Sequence, residues 1–174
     1  YTKHVTGLDL RPVNVLKTLT RLSLSGYYAP IFQGNCEELD ESFGKFDVVF
    51  HFGVLYHLMS PVQHIKSLGR FADTLYLDTH IASTANATES SEIDGDTYRY
   101  SLVGESGWLD PFSGADPTSI HLTYASLKKA LVKAGFKNVA LLNFRDERNG
   151  PRILVFGSRT IDVSSFPMIA DPSI

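Results

Sequence analysis

The sequence predicts an α/β fold built on a mostly parallel sheet that ends in an antiparallel hairpin. Three observations carry that prediction. Short apolar runs alternate with stretches of helical periodicity along most of the chain. The strongest of these runs, FDVVF at 46–50, is β-branched and apolar on both faces, as a central parallel strand should be. The last two runs, 138–144 and 152–158, are separated by a polar, glycine-containing segment at 145–151, the spacing of an edge hairpin.

The elements follow in order. Val5–Leu10 reads as a buried strand carrying Asp9 at its end, and Pro12 suits the first turn of a helix. Val13, Leu16, Leu19, Leu22 and Leu24 continue at roughly helical spacing. Ala29–Gly34 suggests a second short strand, and the polar 37–45 a short helix or turn. After FDVVF, Val62, Ile65, Leu68 and Phe71 mark an amphipathic helix behind Pro61, and TLYLD at 74–78 is the next strand. Residues 81–117 are rich in Ser, Thr, Gly and Asp without lasting periodicity, which reads as an insertion or lid over a site. Helix resumes at 124–134 between an N-cap at Thr123 and a stop at Gly135; its Lys128, Lys129 and Lys133 read as a solvated face. The domain is placed at 1–159, with 160–174 a tail packed on the surface.

Bulk properties narrow the function classes. A chain of 174 residues suits one domain with a single core. A formal charge of -3 and a pI near 6.1 give no electrostatic footprint for nucleic acid or an anionic membrane. The single cysteine, Cys36, allows no internal disulfide and fits a reducing compartment. No apolar run approaches the roughly 20 residues needed to span a bilayer, and no signal-peptide pattern opens the chain. A cytoplasmic protein is expected. The six histidines match no metal-binding spacing, so no metal is expected.

Four landmarks carry a resemblance: GLDLRP (7–12), QGNCEEL (33–39), FDVVFHFGVLYHLMSP (46–61) and LTYASLKKALVKAGFKNV (122–139). In this order and spacing they resemble class I S-adenosylmethionine-dependent methyltransferases from the second strand onward, with the GVLYHL stretch the most specific. The resemblance implies a Rossmann-like sheet and S-adenosylmethionine as cofactor, with S-adenosylhomocysteine as product. It also implies a first strand and glycine-rich loop ahead of Val5, which this chain lacks.

On that resemblance Asp9 accepts the ribose hydroxyls, with Arg11 beside it; as a helix N-cap, the same Asp9 would serve α-helix formation instead. Asn35, Cys36 and Glu37 fall where adenine is contacted, or form a surface turn. His51, Phe52 and Tyr56 fall at the cofactor, or pack as plain core. His57 and His80 are the catalytic candidates, with His51 and Asp78 as further candidate bases and His121 facing the lid; a packing role for His57 stays open.

The implied reaction is methyl transfer to a small-molecule or carbohydrate-like acceptor, in which the protein holds donor and acceptor in line and supplies a base where the acceptor carries a proton. Two other readings stand beside it. One is a transferase acting on the wobble uridine of transfer RNA, against which the acidic charge balance counts. The other is a non-catalytic scaffold or partner module that kept the fold. The oligomeric state is left open.

Overall fold

The computed structural model describes residues 4–167 and 169, which fall into two compact units meeting in sequence at Phe43 and Gly44. The first is a β-α-β unit: β1 (Gly7–Asp9), α1 (Pro12–Leu24) and β2 (Ile31–Gln33). The strands pair in parallel, Gly7 against Ile31 and Asp9 against Gln33, and α1 supplies the crossover that parallel strands require. Pro12 occupies the first helical turn, where its missing N–H costs nothing. Gly26 ends the helix at φ +72° while Tyr27 N–H bonds back to Leu22 O at 2.9 Å. Both strands are shorter than the sequence predicts. The expected helix or turn at 37–45 resolves into two separate 3-10 turns, Cys36–Glu38 and Glu41–Phe43.

The second unit holds β3 (Phe46–Phe52), α2 (Pro61–Phe71), β4 (Ala72–His80), β5 (Glu89–Ile93), β6 (Asp96–Gly104), β7 (Thr118–Leu122), α3 (Tyr124–Lys133), β8 (Asn138–Glu147) and β9 (Gly150–Ser158). Its main sheet runs β3-β4-β9-β8, and only the β3–β4 pair is parallel. The expectation of a mostly parallel sheet is therefore corrected to a mixed one. The cause is local: the β8–β9 hairpin returns beside β4, and a hairpin is antiparallel by construction. Leu75, Leu77, Ile153 and Val155 fill the centre of the sheet, and Ile65, Leu127, Leu131 and Phe136 bury against it from the α2 and α3 side of the sequence; all eight are at most 1% exposed.

Two further expectations change. β3 is not buried on both faces: Val48, Phe50 and Phe52 are 36, 64 and 52% exposed, and among the described residues the strand pairs with β4 alone. The 81–117 segment, read as an insertion or lid, holds regular strands. β5, β6 and β7 form a three-stranded antiparallel sheet closed by an Asp94-Gly95 turn with both φ positive. Its strands are short of apolar residues because much of this sheet faces water, so period-2 alternation is weak in the sequence. The α3 lysines are not merely solvated: Lys133 pairs with Asp96 at 2.7 Å and Lys129 donates to Thr97 O at 2.9 Å, tying the hairpin to the helix. The tail runs without helix or strand from 160 to 167, with Phe166 against Phe156 at 5.0 Å between ring centroids; residues 168 and 170–174 lie outside the described residues.

Candidate active site

The predicted site residues assemble within each unit separately. In the first, Asp9 and the 34–37 turn lie side by side at the carboxyl ends of two parallel strands, where open α/β sheets bind ligands. Gly34 N–H bonds Asp9 O at 3.0 Å, which fixes the turn against the strand. Asp9 Oδ1 accepts Arg11 N–H at 2.8 Å and Asn14 Nδ2 at 3.3 Å. One carboxylate oxygen thus holds the chain leading into α1, and Oδ2 has no hydrogen bond among the described residues. The N-cap of α1 is Arg11, without a side-chain cap, so Asp9 is not that cap. Asn35 Oδ1 accepts Glu37 N–H and its Nδ2 donates to Glu38 Oε1, each at 3.0 Å, holding a rigid polar turn. Burial, with the Glu37 and Asp9 carboxylates adding to it, pushes the Cys36 thiol up to about 12, so Cys36 is no thiolate nucleophile.

In the second unit a cluster forms where β3 and β4 end. Phe52 lies opposite Asp78, and Gly53, at φ +72°, donates its N–H to Asp78 O at 3.0 Å. The chain then turns through the 3-10 segment Leu55–His57, which carries Tyr56 and His57. The Tyr56 ring is surrounded: centroids of His57, His80 and His121 lie at 4.2, 4.8 and 5.9 Å, and the Arg152 guanidinium at 5.6 Å. His80 and His121 stack at 6.1 Å with planes 10° apart. Burial, and then the neighbouring His80, push His121 down to about 4, so it stays neutral in neutral solution.

His57 is held by a residue the sequence analysis missed. Its Nδ1 lies 2.7 Å from Glu105 Oε1, at the end of β6. The other oxygen of Glu105 accepts Ser113 Oγ at 2.5 Å and Gly114 N–H at 3.0 Å. Burial works against the charge on Glu105, but these three hydrogen bonds win and hold the carboxyl at about 2. A permanently ionised carboxylate on Nδ1 favours the tautomer with the proton there, which leaves Nε2 as the acceptor nitrogen. No fixed spacing links 57 to 105, so nothing in the sequence pairs them.

Asp78 is not a base. Its two oxygens accept Arg152 Nε at 2.5 Å and Arg145 Nη2 at 2.6 Å, from the two strands of the C-terminal hairpin. His80 is buried, with Nε2 3.9 Å from Glu147. His51 departs from the expected cofactor contact: strand alternation turns it inward, where its Nε2 meets His64 Nε2 of α2 at 2.8 Å. That pairing replaces the predicted role.

The α/β fold is shared with solved methyltransferase structures. Residues 1–73 match the methyltransferase domain family. The N-terminal domain of EvdMO1 with SAH bound is 27% identical at a TM-score of 0.77, covering 89% of this chain and 64% of that one. The same domain in the presence of SAH and D-fucose is also 27% identical at 0.77, covering 89% and 66%. An S-adenosylmethionine-dependent methyltransferase from Clostridium acetobutylicum shares the fold at 12% identity and a TM-score of 0.58, covering 90% and 75%. The chain thus spans slightly less than two thirds of the EvdMO1 domain's length. No curated protein matches it. These likenesses show a methyltransferase-like α/β fold; the bound S-adenosylhomocysteine is that of the EvdMO1 domain.

Proposed function

We propose that the protein transfers a methyl group from S-adenosylmethionine to a hydroxyl of a carbohydrate-like small molecule. The observation that carries the reading is the His57–Glu105 pair at the end of β3, because methylating a hydroxyl requires a place for its proton. The EvdMO1 domain in the presence of D-fucose favours a sugar as the acceptor class.

The donor set suits the cofactor. Within the first unit Asp9 keeps one carboxylate oxygen for the ribose diol, Arg11 stands beside it, and Asn35, Cys36 and Glu37 offer the polar turn for adenine; within the second, taken by itself, Phe52 and Tyr56 offer aromatic surface. When bound, S-adenosylmethionine supplies an electrophilic methyl carbon on a sulfonium. His57 Nε2 takes the acceptor hydroxyl proton as the oxygen attacks, and Glu105 stabilises the resulting imidazolium. Tyr56 packs against the His57 ring, and His80 packs against Tyr56. The wild-type role of His80 in this scheme is positioning.

The same reading places the protein in the cytoplasm. No helix among the described residues is long and apolar enough to cross a membrane.

Calorimetric titration of S-adenosylhomocysteine and turnover of His57→Gln with a sugar acceptor test the proposal. The variant should keep its affinity for S-adenosylhomocysteine and lose about 10²–10⁴-fold in kcat. Full activity in the variant, or no binding by the parent protein, would defeat it.

A further inference from the structure

A cleft of about 340 Å³ lies in the second unit, at the opposite end of β4 from the His57 cluster. Its wall comes from the later turns of α2, the end of α3, the β5–β6 turn and Arg159 just past β9. Arg159 N–H bonds Asp73 O at 3.0 Å, which sets the cleft beside the start of β4. Lys66, Arg70, Lys133 and Arg159 line it against two acids, Asp94 and Asp96, an excess of two positive charges in a chain whose formal charge is -3. Lys66 pairs with Asp94, and Lys133 with Asp96 at 2.7 Å. These pairs sit at the surface, where such contacts hold weakly. Arg159 is committed to the carbonyls of Gly69 and Ala134. Arg70 is exposed and has no acid partner among the described residues. Tyr98 is a wall residue of another kind. It is 0% exposed, yet its hydroxyl has no hydrogen-bond partner among the described residues, where a buried hydroxyl normally has one. Burial, and then Asp96, raise it above its ordinary value, so it stays protonated as a donor; Lys66, Lys133 and Asp94 also act on it, which places the hydroxyl among the charges of the cleft.

We propose that this cleft binds a phosphoryl dianion, free or carried on a small molecule, with the Arg70 guanidinium and the Tyr98 hydroxyl as donors and Lys66 and Lys133 closing on it. A dianion matches the excess of two positive charges, which a monocarboxylate would only half balance and a cation would increase. Phosphoryl oxygens only accept hydrogen bonds, and the donors here only donate: a guanidinium fork, two ammonium groups and a protonated phenol. The volume falls in the range of small-molecule sites and leaves room for more than the phosphoryl group. No residue of the cleft belongs to the proposed methyl-transfer site, so the two readings stand or fall separately.

Calorimetric titration of inorganic phosphate and of ribose 5-phosphate into the full chain tests the proposal. At least one of them should bind saturably at a single site with a Kd below about 1 mM, and the affinity should fall as sodium chloride is raised. Tighter binding of the ester supports a phosphorylated small molecule as the occupant, and tighter binding of inorganic phosphate supports the free ion. Arg70→Gln, at an exposed position, and Tyr98→Phe, which keeps the buried ring, should each weaken binding at least about fivefold. Arg148→Gln removes an exposed cation from the turn between β8 and β9 and should leave the affinity within about twofold. No saturable binding of either probe overturns the site, as does full affinity in Tyr98→Phe or an equal loss in Arg148→Gln. Competition by S-adenosylhomocysteine would put the anion at the carboxyl ends of the strands and overturn it as well.

Discussion

The Nε2 atoms of His51 and His64 lie 2.8 Å apart in the interior of the second unit, and neither Nδ1 has a hydrogen-bond partner among the described residues. One ring donates and the other accepts, and burial keeps both neutral. Burial, with the neighbouring His64 adding to it, pushes His51 down to about 3, and burial pushes His64 down to about 4.

These shifts set a pH dependence. The unfolded chain protonates these histidines near their ordinary value of 6.5, and the folded chain does so only near 3 to 4. Their contribution to stability is present above 6.5 and declines as pH falls toward 4; His121, also near 4, acts in the same sense. The urea midpoint should therefore drop between about pH 7.5 and about pH 5. His64→Gln, which offers His51 a partner that does not titrate, should flatten that slope. Equal midpoints at the two pH values in the wild-type protein would contradict the neutral buried pair.

Gly69 in α2 should not tolerate a side chain. An added Cβ would collide with the Ala134 carbonyl just past α3, whose oxygen also accepts Arg159 Nη2 at 3.1 Å. Gly69→Ala should cost about 1–3 kcal/mol by overpacking. Gly104→Ala is the control, since nothing lies within 4 Å of a Cβ there. Thermal melts of the two variants should differ accordingly, and matching melting temperatures would refute the clash.

Asp9→Ala removes both the acceptor for Arg11 N–H and Asn14 Nδ2 and the proposed ribose acceptor. Asp9→Asn keeps an oxygen for Arg11 N–H and loses only the charge and the second acceptor. Both variants should weaken S-adenosylhomocysteine binding by at least about tenfold, roughly 1.4 kcal/mol, whereas only Asp9→Ala should also lower stability. Calorimetry on Asp9→Asn showing wild-type affinity would reject the ribose assignment.

Asp78→Ala leaves Arg145 and Arg152 with Glu147 as their remaining acid in this cluster. Asp78 is only 12% exposed at its side chain, so the pairs are partly desolvated, and removal should cost about 1–3 kcal/mol. Asp78→Asn, which still accepts a hydrogen bond, should cost less. A denaturation midpoint unmoved by Asp78→Ala would mean that water screens these pairs as it does ordinary surface ones.

Local chemistry was legible in the chain itself. Alternating periodicities set the order of strands and helices, Pro12, Pro61 and Thr123 marked helix starts, and the acid ending β1 and the polar turn after β2 could be read from adjacent residues. What depends on contacts between distant residues was decided only in three dimensions. The pairing of His57 with Glu105 spans 48 positions, and the inward turn of His51 depends on where α2 packs. The antiparallel insertion of β9 beside β4 joins Thr74 to Ser158, and the 81–117 strands pair with one another across polar sequence with little hydrophobic alternation to announce them. Periodicity records which side of an element meets a core; it carries no label for the partner waiting there. That is why the order of strands and helices was legible in the sequence, while the pairing of His57 with Glu105 and of His51 with His64 was decided only by the tertiary structure.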